Sequence, residues 1–442
     1  MKTATQLSVL ALLSCVLASG LNAEARGYLA YKTTAVRLAD QAQVIVSGTL
    51  LRVENVQISE TGIDAARHRR IGDGAWQDGE SGIRREAVLS VNEVLKGTAE
   101  LGSELRFVSI RQLQFEAYDA DLREGDAVYF LHARPEDQRL IVLSEERGTI
   151  SKPESNGNVA IAADYVRAYL AAGSKGAWLD KLVNAIDLKA GRLSVDGCIE
   201  LSWNHEDYQT AMTETVRQQI ASLARLSKSG TRERNELLTA IGRFKPEGGL
   251  DTLLDIMLSD PHWSTTSLAS MSLEYIDRGQ AIGRLHQAWE SAQSDATRMV
   301  IVRSLGLIRP KVGHDGPALR DRTLEIVASQ LDAHKDKALL RESLIASRDL
   351  RSEGAHLKLL KKLIDERHSN GLGSSEIQAA IVALAAARKI EHNATGPDAV
   401  TVLEKDYLIA LGNSDPVLKQ TVVAALKTPY TTLIKGADGK GH

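Results

Sequence analysis

The sequence predicts a multidomain chain, β then α: a small five-stranded β-barrel followed by a stack of antiparallel helix pairs. Three observations predict it. Apolar residues alternate with period two from about Ala42 to Ser151, the signature of half-buried strands. From Val159 onward the period becomes 3.6, that of amphipathic helices. One ten-residue pattern then returns within the helical part, as internal repeats do. Composition agrees: hydrophobic residues make up 43% of the chain and aromatics only 4%, a balance that suits close helix packing.

The first element is a leader. Lys2 supplies a positive start, Leu7 to Leu17 an apolar core, and small residues follow, with cleavage expected after Ala23 or after Ala25. Residues 1–23 are therefore read as a signal peptide. The apolar run falls short of the ~20 residues that a membrane span needs, and no later segment approaches that length, so no transmembrane segment is expected. The tetrapeptide ending at Cys15, Leu-Leu-Ser-Cys, offers an alternative in which that cysteine carries a lipid anchor. Export to the periplasm or the extracellular space follows from the leader; lipid anchoring in the envelope is the alternative. After cleavage only Cys198 remains, so no internal disulfide is expected. It lies in a helical pattern and reads as a small buried residue.

The barrel domain is assigned to residues 30–153. Its five runs are Val44 to Leu51, Glu86 to Gly97, Leu105 to Ile110, Asp126 to Ala133 and Arg139 to Glu145. Gly, Asp, Glu and Pro punctuate them, which argues for antiparallel strands. Five short strands suit a closed barrel, because closure removes exposed edges. Between the first two runs lies a long polar loop, residues 57–85, with Trp76 and a basic cluster from Arg67 to Arg70. The segments VIVSGTLLRVE, EAVLSVNEVLKG and REGDAVYFLHA together resemble the OB-fold module of netrin and TIMP type. That resemblance implies an OB-like barrel. It does not carry protease inhibition with it, since TIMP inhibitors act through an amino-terminal cysteine and are laced with disulfides that this chain lacks.

The helical domain is assigned to residues 159–428, with a flexible tail at 429–442. Leu237 to Pro246 (LLTAIGRFKP) and Ile301 to Pro310 (IVRSLGLIRP) keep the same order of apolar, small, basic and proline residues, with Arg243 standing against Leu307. Their offset is 64 residues, and Ala269 to Arg278 fills the slot halfway, without the proline. A period near 32 follows. Later helices, such as EIQAAIVALAAARKI and VTVLEKDYLIALG, keep looser spacing. Asp260-Pro261 and Asp415-Pro416 read as turns that open a following helix. Repeating pairs of this length resemble HEAT repeats, which implies an α-α solenoid with a protein-binding face.

No catalytic, cofactor-binding or metal-ligating residue can be singled out. The chain has no His-Glu-x-x-His, no Gly-x-Ser-x-Gly elbow and no Walker loop. Its eleven histidines are scattered, among them His68, His132, His205, His262 and His286. Gly371 to Glu376 reads as a turn with Ser374 or Ser375 as helix cap, and the acidic stretch Glu116 to Asp126 as a solvated loop. Net charge is −3, with 17 Lys and Arg against 21 Asp and Glu over residues 24–153 and 36 of each over 154–442. Neither part has the basic excess of a nucleic-acid binder. The expected function is an exported envelope scaffold or adaptor that binds a protein partner through one face of the helical repeats, without a cofactor. The alternative is an enzyme or enzyme inhibitor that uses the barrel and its long loop.

Overall fold

A computed structural model describes residues 34–57, 82–112, 122, 125–133, 139–143, 148–187, 191–310, 315–333, 336–350, 354–369, 371–390 and 400–427. The predicted leader with Cys15, most of the predicted long loop (58–81) and the predicted tail lie outside the described residues. The chain divides into two compact units, one ending at Val216 and the other starting at Arg217.

In the first unit, helix α1 (Ala35–Gln41) precedes strand β1 (Val44–Gln57). Then come β2 (Gly82–Lys96), β3 (Glu104–Gln112), β4 (Gly125–Ala133), β5 (Leu140–Val142) and β6 (Thr149–Ser151). The strands run β1-β2-β3-β5-β4, and β4 pairs back onto β1 from Val44↔Leu131 to Leu50↔Gly125. The result is a closed five-stranded barrel. All neighbours are antiparallel except β3 and β5, which are parallel. The five predicted runs are its five strands. The polar loop is shorter than its composition suggested, because β1 and β2 extend into it and still pair at Gln57↔Ile83. Inside the barrel Val46, Leu50, Leu89, Val91, Phe107, Tyr129 and Leu131 form the core.

Strand β4 explains why this unit continues past the barrel. Ala127 to Leu131 are all buried. Alternate residues of a strand point to opposite faces, so Ala127, Tyr129 and Leu131 fill the barrel while Val128 and Phe130 need cover from outside. Helix α1 and helix α2 (Val159–Ala172) pack on β4 and supply it. Helix α3 (Leu179–Asp187) and helix α4 (Arg192–Trp203) follow.

A polar clasp joins α4 to the entry of α1. Glu200 is fully buried, and its carboxylate accepts from the Thr34 hydroxyl, from Asn204 Nδ2 at 3.0 Å and from the Tyr208 hydroxyl at 3.1 Å. One turn earlier, Asp196 accepts the Ala35 N–H at 2.8 Å. Another turn back, Arg192 donates to the Thr149 carbonyl at 2.5 Å and faces Glu154 at 3.4 Å. Thr34 also caps α1 by accepting the Arg37 N–H at 3.2 Å. Three positions one turn apart on α4 thus hold the α1 entry, β6 and the turn after it.

The second unit holds two layers of helices. Helix α5 (Glu214–Leu226) leads into it from the unit boundary. The first layer contains α6 (Arg232–Phe244), the first half of α8 (Trp263–Ser291), α9 (Asp295–Ile308), α11 (Lys337–Leu350), α13 (Ser374–Ala386) and α15 (Pro416–Lys427), and each of these packs on the next. The second contains α7 (Gly249–Ser259), the second half of α8, α10 (Pro317–Ala333), α12 (Gly354–Asp365) and α14 (Lys405–Ser414). Side chains tie neighbours in this layer: Arg284 to Asp251 at 2.7 Å, Arg322 to Glu290, and the Tyr407 hydroxyl to Asp365 at 2.8 Å.

The 32-residue period is written into the backbone. Lys245 and Arg309 end α6 and α9 with positive φ, 49° and 37°. Midway, Asp277 breaks α8 (φ −159°, ψ 100°) and accepts the Gln280 N–H at 2.9 Å, capping the second half. Burial repeats with it: Leu237, Ala269 and Ile301 are all enclosed, as are Ile241, Leu273 and Leu305. Gly242 and Gly306 hold equivalent places. A Cβ on Gly242 would lie 2.8 Å from Ser272 Cα, and one on Gly306 would lie 2.8 Å from Ala346 Cα.

Asp260 and Asp415 open their helices as predicted, accepting the N–H of His262 and of Val417, each at 3.0 Å. Burial works against the Asp260 carboxylate, but His262, the hydroxyls of Ser229 and Thr265, and Arg234 outweigh it and hold its pKa below the usual range. Three expectations need correction. Gly373, not Ser374 or Ser375, occupies the cap position of α13. The predicted helices through Ile390 and from Val400 are interrupted, because Arg388–Ile390 (β7) and Val400–Val402 (β8) pair as antiparallel strands.

Four outcomes are expected. Glu200→Ala leaves three donors, two of them buried, without their acceptor and should lower the stability of the first unit by about 3 kcal/mol, measured by urea denaturation. Gly306→Ala should cost ~1–3 kcal/mol through overpacking. Gly283→Ala, whose Cβ would meet nothing within 4 Å, should instead stabilise by roughly 0.5–1 kcal/mol. His356 on α12 is buried, and burial pushes its pKa down to about 4. Ser347 Oγ lies 3.0 Å from its Nε2 and donates its own hydrogen to the Ser343 carbonyl, so the imidazole donates through Nε2. A ring that binds its proton less readily when folded contributes fully above the unfolded pKa of ~6.5. That contribution is lost as pH falls from there toward 4. The second unit should lose about 3 kcal/mol across this window, and His356→Gln should flatten that loss in denaturation midpoints measured between pH 7 and 4.

Candidate functional site

Among the described residues, two places concentrate chemistry. The first is the Arg192–Asp196–Glu200 clasp. Its carboxylates are 3% and 0% exposed, and protein donors already occupy them. Burial first, then the charges of Asp196 and Glu200, push the neighbouring Tyr165 phenol well above its ordinary pKa. Groups sealed in this way hold structure together; they do not meet a substrate. Cys198, on the same helix, is buried as expected.

The second place is the outer face of the first helix layer. Because the register repeats every 32 residues, equivalent positions line up across α6, the first half of α8, and α9. One row is Arg243, Tyr275 and Leu307. The row one turn earlier is Thr239, Met271 and Arg303. The rows are in physical register: the Arg243 guanidinium lies over the Tyr275 ring, 4.2 Å from its centroid. Met271 is 50% exposed, Tyr275 37% and Leu307 38%. Exposed apolar side chains of this size, close together on adjacent helices, form a candidate contact patch.

Arginines frame the patch. Arg303 makes a bidentate pair with Glu342 on α11, at 3.0 and 2.8 Å. Arg278 does the same with Asp315, at 2.8 and 3.2 Å. Fork-to-fork pairs fix both partners, so the rim of the face is rigid. The face offers stacking, apolar contact and a fixed guanidinium. It lacks any nucleophile with an adjacent base, and among the described residues no three His, Cys, Asp or Glu side chains gather as metal ligands.

No catalytic or ligand residue was expected from the sequence, and the motifs weighed there stay apart. His68, Trp76 and Arg67 to Arg70 lie outside the described residues, as does most of Glu116 to Asp126. His132 sits on β4, His205 in a short 3-10 turn of the first unit, and His262 and His286 at and within α8. His286 bonds Thr323 at 2.9 Å. Burial, then Arg322, lowers its pKa. The rows themselves could have been found by stacking the decapeptides. That alignment sets Arg243 above Tyr275 above Leu307, and only knowledge of which helical face is exposed was missing. Among the described residues no helix is long and apolar enough to cross a membrane. The chain matches no protein-family model, no curated protein and no solved structure in these three comparisons.

Proposed function

We propose that this protein is an exported envelope scaffold that binds a protein partner through the outer face of its first helix layer. The observation that carries the reading is the exposed patch of Tyr275 and Leu307 from one row and Met271 from the next, between fixed arginines. Aromatic, methionine and arginine side chains are what the centres of protein interfaces are enriched in. The second unit is read as an α-α solenoid of HEAT-like repeats. The 32-residue recurrence of helix breaks and the two stacked layers support that reading. Such an array keeps its binding side chains on rigid helices, so little ordering cost is left for association. The barrel is read as OB-like, supported by its strand order and by the parallel pairing of β3 with β5. In this reading the barrel is a carrier for the helical unit.

A photo-crosslinking amino acid at position 271, in the full chain added to an envelope extract, should transfer to one partner in near-stoichiometric yield. The same probe at Asp255, on the second layer, should not. Equal labelling from both positions, or none from position 271, would sink the proposal. Export is a separate part of it: mass spectrometry of the mature chain should find an amino terminus at Glu24 or Arg26. A lipid-modified Cys15 would replace soluble export with membrane anchoring.

A further inference from the structure

The chemistry of the partner can be narrowed by asking which arginine of the face lacks a counter-ion. Arg232 has Glu236 at 3.5 Å, Arg278 has Asp315 at 2.8 Å, and Arg303 has Glu342 at 2.8 Å. Arg243 has no carboxylate among the described residues, and its buried Nε has no hydrogen-bond partner. Its contact is the Tyr275 ring. A guanidinium stays charged at any physiological pH. Stacking on an aromatic ring fixes its plane and leaves its fork free to meet a planar acid.

We infer, resting on the protein-binding reading above, that the partner segment presents an Asp or Glu carboxylate to Arg243 and an apolar side chain to Met271 and Leu307. The carboxylate gives Arg243 the kind of partner that Arg232, Arg278 and Arg303 already have. The apolar group covers the exposed side chains at neighbouring register positions. A membrane headgroup layer or a nucleic acid fits less well. Both are held by many positive charges acting together, and here Arg232, Arg278 and Arg303 are already paired with carboxylates.

The test is to pan a displayed random peptide library against the full-length chain. Enriched peptides should carry Asp or Glu within a few residues of Leu, Met or Phe. Arg243→Gln should weaken them by roughly 30-fold, and Arg243→Lys, which keeps charge but loses the fork, by less. Arg243→Glu should select Lys- or Arg-bearing peptides instead, with circular dichroism confirming that each variant is folded. Peptides that lack acids, ignore Arg243→Gln and are lost in Met271→Ala would overturn the carboxylate inference while leaving a protein-binding face. Absence of any enrichment, or binding to vesicles of anionic phospholipid in place of peptides, would overturn both.

Discussion

A helix with apolar residues on two sides is stable only between two neighbours, and the second unit is built on that constraint. Residues such as Leu237, Leu273 and Leu305 are enclosed because each first-layer helix is flanked by the next. The spacing between these helices is set at its closest by Gly242 against Ser272 and Gly306 against Ala346. Where backbones meet at that distance, the register on the buried side is fixed to within a fraction of a residue. The outer side inherits the same register. The alignment of Arg243, Tyr275 and Leu307 is thus a by-product of core packing, and the surface needs no separate device to hold it.

The first unit solves a different problem. A five-stranded barrel closes its edges, yet β4 is apolar on both faces and cannot stand alone. Helices α1 and α2 cover it, and the polar clasp on α4 holds α1 in place. Buried charges are costly unless fully partnered, and here Glu200 accepts from Thr34, Asn204 and Tyr208, and Asp196 from Ala35. Such a clasp contributes geometric specificity more than net stability, because any misplacement of α1 would leave Glu200 and Asp196 unsatisfied.

Much of this was legible in the sequence, for physical reasons. Period two exposed the five strands, since one face of each meets the core. The 64-residue echo exposed the repeat, since identical packing demands similar residues. Other features were not legible. Helix α1 is seven residues long, too short to show a period. Strand β6 and the β7–β8 pair are three residues each, and they follow from tertiary pairing rather than local preference. The clasp reads in sequence as an acid pair in a helix, like many others, until Thr34 is brought to it across 166 residues. The exposed face was hidden because Met271 and Leu307 look like core residues; only the position of the neighbouring helices shows which apolar side chains are left outside.

The three helix breaks at Lys245, Asp277 and Arg309 differ in kind. The outer two are followed at once by proline, whose ring forbids helical continuation whatever its surroundings. The middle one is held by a single carboxylate folded onto its own next turn. One crossing between layers is therefore conditional where its neighbours are absolute. Replace that side chain with a good helix former and nothing covalent prevents the two halves of α8 from fusing into one rod some 29 residues long, carrying Tyr275 out of line with the helices on either side. The exposed row and this conditional joint share a helix turn, so sequence drift at one acidic residue would reach the surface chemistry without touching it.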